Sequence, residues 1–164
     1  AGVPDGKKES LDAVVKAFAS LKDENAILRI VGVTREQFVN LYPEIEIDNN
    51  VIFEGFVSHA QAVKFILSCG CYIFIRESDR RNNAGFPTKF AESFTAGVPI
   101  ITTDVSDVKE YIEKSGNGAV LFSTGEKEIA EAMRKQIENG KKDYNLNSEF
   151  DYNSYKDKVK DLFI

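Results

Sequence analysis

Cysteine is scarce in this sequence: Cys69 and Cys71 are the only two among 164 residues. A disulfide between such near neighbours is strained in an extended segment. Two thiols with no histidine beside them also fall short of the four ligands that zinc takes. They are expected as reduced, buried thiols at a strand entrance, which fits a cytoplasmic protein. No apolar run approaches membrane-spanning length and the start has no signal-peptide pattern, so any contact with the inner face of a membrane falls to a region outside this stretch. Internal repeats and low-complexity linkers are missing too. Basic clusters are short: Lys7-Lys8, Arg80-Arg81 and Lys141-Lys142 are the densest, within a net charge of −5. Nucleic acid as the main partner is thereby disfavoured, because neutralising phosphates takes clustered Lys and Arg.

What remains is an ordinary globular composition, 43% hydrophobic and 29% charged, enough for one domain spanning 1–164 with a real core. Strand-like and helical segments alternate. Ser10 is placed to cap a helix whose Leu11, Val14, Val15, Phe18 and Leu21 recur at helical spacing. A β-type run follows over 26–32, then Thr34 with Gln37 as a capping box before a helix that Pro43 closes. Residues 50–55 read as a strand, and Ser58 with Gln61 as a second capping box. The continuously apolar 71–75 reads as a central parallel strand buried on both faces. A polar loop spans 76–86, and a helix over 87–96 stops at Gly97. A strand over 98–102, a helix capped by Ser106, a strand over 119–122 and helices over 126–139 and 154–163 complete the order. Such alternation predicts an α/β fold, a doubly wound, Rossmann-like parallel sheet with helices on both faces. Ligands of such sheets bind at the carboxyl ends of the strands. Residues 1–6 make a poor strand, whereas a domain of this kind opens with one. The expectation is a fragment cut just inside a domain.

The chemistry concentrates in 83–99. Gly85 lets the backbone turn tightly and approach a ligand, and Pro87 suits a first helical turn. Free amides around Thr88 and Lys89, with the helix dipole, form a ready anion site. Lys89 adds a mobile positive charge. Glu92, one turn beyond Thr88, either accepts hydrogen bonds from vicinal hydroxyls, as acids do for ribose in dinucleotide folds, or is a solvated surface acid. Arg76 leaves the 71–75 strand at its carboxyl end, free to hold a phosphate or sugar acid or to pair with Glu77 or Asp79. His59, the only histidine, has no carboxylate or nucleophile in sequence reach and reads as a capping or surface residue.

The segment Ala84-Gly85-Phe86-Pro87-Thr88-Lys89-Phe90-Ala91-Glu92, followed by Gly97-Val98-Pro99-Ile100-Ile101, resembles the signature of glycosyltransferase family 4: Glu-Gly-Phe, five residues, Glu, then Gly-x-Pro-Val-Ile. The resemblance implies the C-terminal, donor-binding half of a retaining enzyme of the GT-B fold, with two Rossmann-like domains around a cleft. It implies a nucleotide-diphosphate sugar as substrate and an N-terminal domain of the same polypeptide as partner. No metal or other cofactor is implied. Gly85, Phe86, Pro87 and Thr88 then correspond to the diphosphate-cradling turn and Glu92 to the ribose-binding Glu. Lys8, at the entrance of a helix similar to the family's opening one, corresponds to the Lys that pairs with the diphosphate, or is plain solvated charge. Phe56 and Val57 correspond to a turn beside the nucleobase, and Ser115-Gly116-Asn117-Gly118 to a structural turn. The wording of 87–90 is similar to a branch acting in capsule and lipopolysaccharide synthesis. One position departs: the sugar-contacting Glu falls on Ala84, with Glu77 as a stand-in. That opens an alternative, a non-catalytic nucleotide-binding or regulatory module of the same fold. A phosphoacceptor receiver needs an acidic cluster that is missing near Ile30 and Ile75, and a sugar epimerase needs catalytic acids and histidines.

Overall fold

The computed structural model describes residues 9–140, 146–156 and 160. Lys7, Lys8, Lys141, Lys142 and most of the helix expected over 154–163 lie outside the described residues; 152–155 form a 3-10 turn.

The elements run α1 (Leu11–Leu21), β1 (Leu28–Val31), α2 (Arg35–Leu41), β2 (Val51–Gly55), α3 (His59–Ser68), β3 (Tyr72–Phe74), α4 (Arg80–Asn83), α5 (Thr88–Thr95), β4 (Ile100–Thr103), α6 (Val108–Ser115), β5 (Gly118–Leu121) and α7 (Glu126–Asn139). Every strand pair is parallel. The strands fall into two hydrogen-bonded groups, β1-β2 and β3-β4-β5. Side chains alternate across each strand, so Ile75, Ile101 and Leu121 join α1 and α7 in one core. Phe74 and Ile100 join Phe90, Phe94, Val108 and Ile112 of α5 and α6 in the other. Helices thus cover both faces, as the alternating pattern predicts.

Both capping boxes form. Thr34 accepts from the Gln37 amide and Ser58 from the Gln61 amide, and each Gln side chain reaches back. The other expected caps are corrected. Ser10 makes no side-chain cap; its own amide donates to the Ile75 carbonyl instead. Ser106 sits two residues before α6 with φ 53°, its amide held by Asn83 Oδ1, so it cannot cap. The 76–86 loop contains a helix, α4, which Asp79 caps through the Asn82 amide. Strand β3 is only partly buried at Tyr72 and Ile73, and among the described residues it is paired on one edge alone. Cys69 and Cys71 form no disulfide and are half-buried rather than buried. Desolvation pushes the Cys71 thiol up to about 12, which keeps it protonated and unreactive near neutrality.

The Ser115–Gly118 turn has a steric reason for its glycines. Gly116 ends α6 in the left-handed region, with open space where a Cβ would point. Gly118 lies at φ 144°, and a Cβ there would collide with the Ile100 backbone of the neighbouring strand. Gly118→Ala is expected to cost at least about 3 kcal/mol and Gly116→Ala about 1–2 kcal/mol, compared by urea denaturation. Equal costs would refute the close-approach account.

Candidate functional site

The carboxyl ends of the strands gather the residues singled out in the sequence. Arg76 follows β3 directly, and its backbone is locked to the end of β4: Thr103 Oγ1 accepts from the Arg76 amide at 2.9 Å and donates to its carbonyl at 2.6 Å. The guanidinium lies 4.3 Å from the centroid of the Phe74 ring and is 14% exposed. Its Nη2 donates to Glu9 Oε1 at 2.9 Å, while its buried Nε has no partner among the described residues. The pairing expected with Glu77 or Asp79 does not form. Glu77 Oε1 accepts instead from the Thr124 hydroxyl after β5, at 2.7 Å, and Asp79 caps α4.

The first residues of helix α5 line the same cavity as this arginine. Pro87 occupies the N-cap position and offers no side-chain cap. The first intrahelical bond runs from the Ala91 amide to the Pro87 carbonyl, so the Thr88, Lys89 and Phe90 amides have no helical acceptor. Gly85 is not in the left-handed region, so the tight-turn role expected for it is not the one it fills. Nothing lies within 4 Å of where its Cβ would be, which leaves the backbone open to close approach. Phe86 turns its ring toward Phe90, Tyr111 and Phe150, with centroids 5.3 to 5.6 Å away. These four aromatic side chains hold the turn in place. Arg76 and 85–89 line one cavity of 1020 Å³, together with Glu9 and Ser10 at the start of α1. Glu77 lines a separate, smaller one of 180 Å³.

Lys89 is not the mobile charge that was expected. Its Nζ donates to Glu92 Oε2 at 2.6 Å and lies 3.3 Å from His59 Nδ1. Glu92 is therefore neither unpartnered nor fully solvated; its side chain is 24% exposed. The contact with His59 joins the N-termini of α3 and α5 and brings the 56–57 turn to the same rim. Phe56 there is 62% exposed, a large apolar ring facing solvent, and Val57 is half-buried. No local pattern announces the His59 contact, since the residues lie 30 apart and meet only because their crossovers end at one rim. Ala84 ends α4, exposed beside Gly85. Lys8 lies outside the described residues. Among the described residues, no three His, Cys, Asp or Glu gather as metal ligands.

The family profile described as Glycosyl transferases group 1 matches residues 6–157. The chain belongs to this family. No curated protein matches it at a significant level. Among solved structures, it is similar to the crystal structure of WaaG, a glycosyltransferase involved in lipopolysaccharide biosynthesis. The TM-score is 0.66 and the identity 22%, over 84% of this chain and 36% of that one. The domain thus spans little more than a third of WaaG, and the likeness is one of fold, the Rossmann-like domain of a GT-B glycosyltransferase. No described helix of this group 1 domain is long and apolar enough to cross a membrane.

Thr103 is the residue on which the Arg76 geometry turns. Thr103→Val keeps the shape and removes both hydrogen bonds to the Arg76 backbone. It is expected to destabilise the domain by about 1–3 kcal/mol, read from urea denaturation. A variant as stable as the parent would show that the Thr103 hydroxyl is dispensable.

Proposed function

We propose that this domain binds the nucleotide-diphosphate sugar of a retaining glycosyltransferase of family 4, in the capsule and lipopolysaccharide branch. The observation that carries the reading is the uncapped N-terminus of α5 opening into the cavity that Arg76 lines. Three amides without helical acceptors and the positive end of a helix dipole suit a diphosphate, and the buried, unpartnered Nε of Arg76 supplies a further donor. Gly85 leaves room for the phosphates to approach the backbone. Glu92 and Lys89 then meet the ribose and the diphosphate, and Phe56 and Val57 flank the base. Lys8, by the family resemblance, is a further cation for the diphosphate.

On this reading the domain's share of catalysis is electrostatic. Helix dipole, Arg76 and Lys89 stabilise charge developing on the leaving diphosphate without a metal. Acceptor binding, and any catalytic group beyond this domain, fall to an N-terminal domain of the same polypeptide, in the cytoplasm at the inner face of the membrane, so the isolated domain binds nucleotide weakly and transfers no hexose. Titration calorimetry with UDP and GDP on the parent and on Glu92→Ala tests the site. The substitution frees Lys89 for phosphate, so it strengthens binding if Glu92 does nothing else. A ribose contact reverses that sign, with Kd expected to rise about tenfold, or about 1.4 kcal/mol. An unchanged or lower Kd rejects the ribose assignment.

Ala84 favours a second reading, a nucleotide-binding or regulatory module without transfer. The exposed turn before Gly85 offers no carboxylate to a donor sugar, and Glu77 is engaged with Thr124. Donor turnover by the whole protein with and without Ala84→Glu separates the two. Turnover in the parent supports transfer, whereas turnover appearing only in the variant supports the module.

A further inference from the structure

The turn between β2 and α3 is held firmly at both ends. The Gly32 amide donates to the Gly55 carbonyl at 2.7 Å, and the Gly55 amide to the Val33 carbonyl at 3.1 Å. Ser58 closes the other end as the cap of α3. Its hydroxyl accepts from the Gln61 amide at 3.3 Å and donates to Gln61 Oε1 at 2.9 Å, which also takes the Ser58 amide at 3.0 Å. His59 is the first residue of α3, and its exposed side chain meets α5. Lys89 Nζ lies 3.3 Å from His59 Nδ1 and donates to Glu92 Oε2 at 2.6 Å. An ammonium carries three N–H donors and no acceptor. Nδ1 is therefore the acceptor in this contact, and the neutral ring carries its proton on Nε2. Lys89 sets the tautomer, leaving His59 with one N–H donor at the other end of an exposed ring.

We infer that His59 reads the nucleobase through Nε2–H, selecting a base with a carbonyl oxygen where adenine and cytosine carry an amino group. The inference rests on the nucleotide reading above and goes beyond it by naming the class of base. Lys89 joins His59 to Glu92, the acid proposed for the ribose, and the chain joins it to Phe56 and Val57, proposed to flank the base. A base is bonded directly to its ribose, so a nucleotide held at both places passes His59. The turn itself cannot tell bases apart. The Phe56 ring, 62% exposed, stacks on any base, and the Val57 side chain has no polar atom. The Ser58 hydroxyl is spent on Gln61, which leaves His59 to supply the discriminating group. Guanine O6 and thymine O4, like the O4 of uracil, accept a hydrogen bond, whereas adenine and cytosine present N–H at the same edge. Two donors facing each other leave both unpaired. The opposite tautomer would accept from an amino group through Nε2, and Lys89 excludes it by taking Nδ1 as its acceptor.

Calorimetric titration of the protein as expressed from its own gene tests this at about pH 8, where histidine is uncharged. UDP is compared with CDP and GDP with ADP, so that ring size and diphosphate stay constant within each pair. In the ring size bound more tightly, the carbonyl-bearing nucleotide is expected to have a Kd about tenfold below that of its amino-bearing partner. His59→Leu is expected to narrow that ratio to less than about twofold while the amino-bearing nucleotide still binds. Equal binding of the two by the parent, or preference for the amino base, overturns the inference. So does a leucine variant that loses affinity for both by the same factor, since His59 would then only support the fold. Nitrogen-15 NMR of the ligand-free protein reads the tautomer independently: a proton on Nε2 is expected, and one on Nδ1 overturns the inference whatever the nucleotides do. Should the leucine variant not fold, the parent's nucleotide series and its spectrum still decide. Failure of all four nucleotides to bind would remove the nucleotide reading and this inference with it, whereas binding without discrimination removes this inference alone.

Discussion

Parallel pairing is the constraint from which the rest of this domain follows. Two parallel neighbours cannot be joined by a tight turn, so each connection crosses the sheet through a helix. The Tyr72↔Ile100 register between β3 and β4 forces the chain to leave β3 at one rim, pass through α5 and return to the opposite rim. Helix α5 must therefore begin at the carboxyl ends of the strands. The same requirement puts the starts of α1 and α3 there, and with them Glu9, Ser58 and His59. Side chains remote in sequence, such as His59 and Lys89, meet because their crossovers share a rim.

That constraint tolerates little local slack, and the residues around β4 show how it is met. At one end of the strand, Gly118 lets β5 approach the Ile100 backbone more closely than any side chain would allow. At the other, Thr103 closes the last open step of the β3–β4 ladder with its hydroxyl, taking the Arg76 amide and returning a bond to its carbonyl. Asn117 adds a side-chain bond to the Gly97 carbonyl at 2.7 Å, tying the turn before β5 to the turn before β4. Between these fixings β4 is buried at all four positions. The rim inherits this rigidity, and the α4–α5 segment is held further by the aromatic packing of Phe86 on Phe90, Tyr111 and Phe150.

The fold was legible in the sequence because its signals are local. Capping boxes at Thr34 and Ser58, the stop at Gly140 and the apolar spacing of α1 each follow from a few neighbouring residues. The failures share a different character. Ser10 and Ser106 look like caps, but the first spends its amide on Ile75 and the second is drawn into the left-handed region, with Asn83 accepting from its amide. Both outcomes depend on partners distant in sequence. In the candidate site, the Gly85–Lys89 turn and Glu92 were visible because a helix start and an acid one turn later have a local pattern. The partner of Arg76 was not, since Glu9 lies 67 residues away. Strand β3 looked central because its residues are apolar; among the described residues one of its edges has no ladder, and Tyr72 and Ile73 are only half-buried.

The charges at the rim bear on how an anion would enter. Two cations that line the cavity at the start of α5 are already paired, Arg76 with Glu9 and Lys89 with Glu92. Such pairs between partly exposed side chains contribute up to about 1 kcal/mol each and are weakened by salt, so exchanging a carboxylate for a phosphate oxygen costs little. The two pairs nevertheless differ. Glu9 can swing out, because its side chain is half in solvent, 53% exposed, and Arg76 is then held only by Phe74 and its own backbone. Glu92 sits on α5 itself, one turn from Lys89, and moves with it. A diphosphate at the helix start would thus displace Glu9 from Arg76 but share Lys89 with Glu92. On the proposed reading the acid stays where the ribose hydroxyls would fall, oriented by the lysine that would meet the phosphate. On the proposed reading, the Lys89–Glu92 pair is the part of the site assembled before the ligand arrives, and the Arg76–Glu9 pair is the part that opens to receive it.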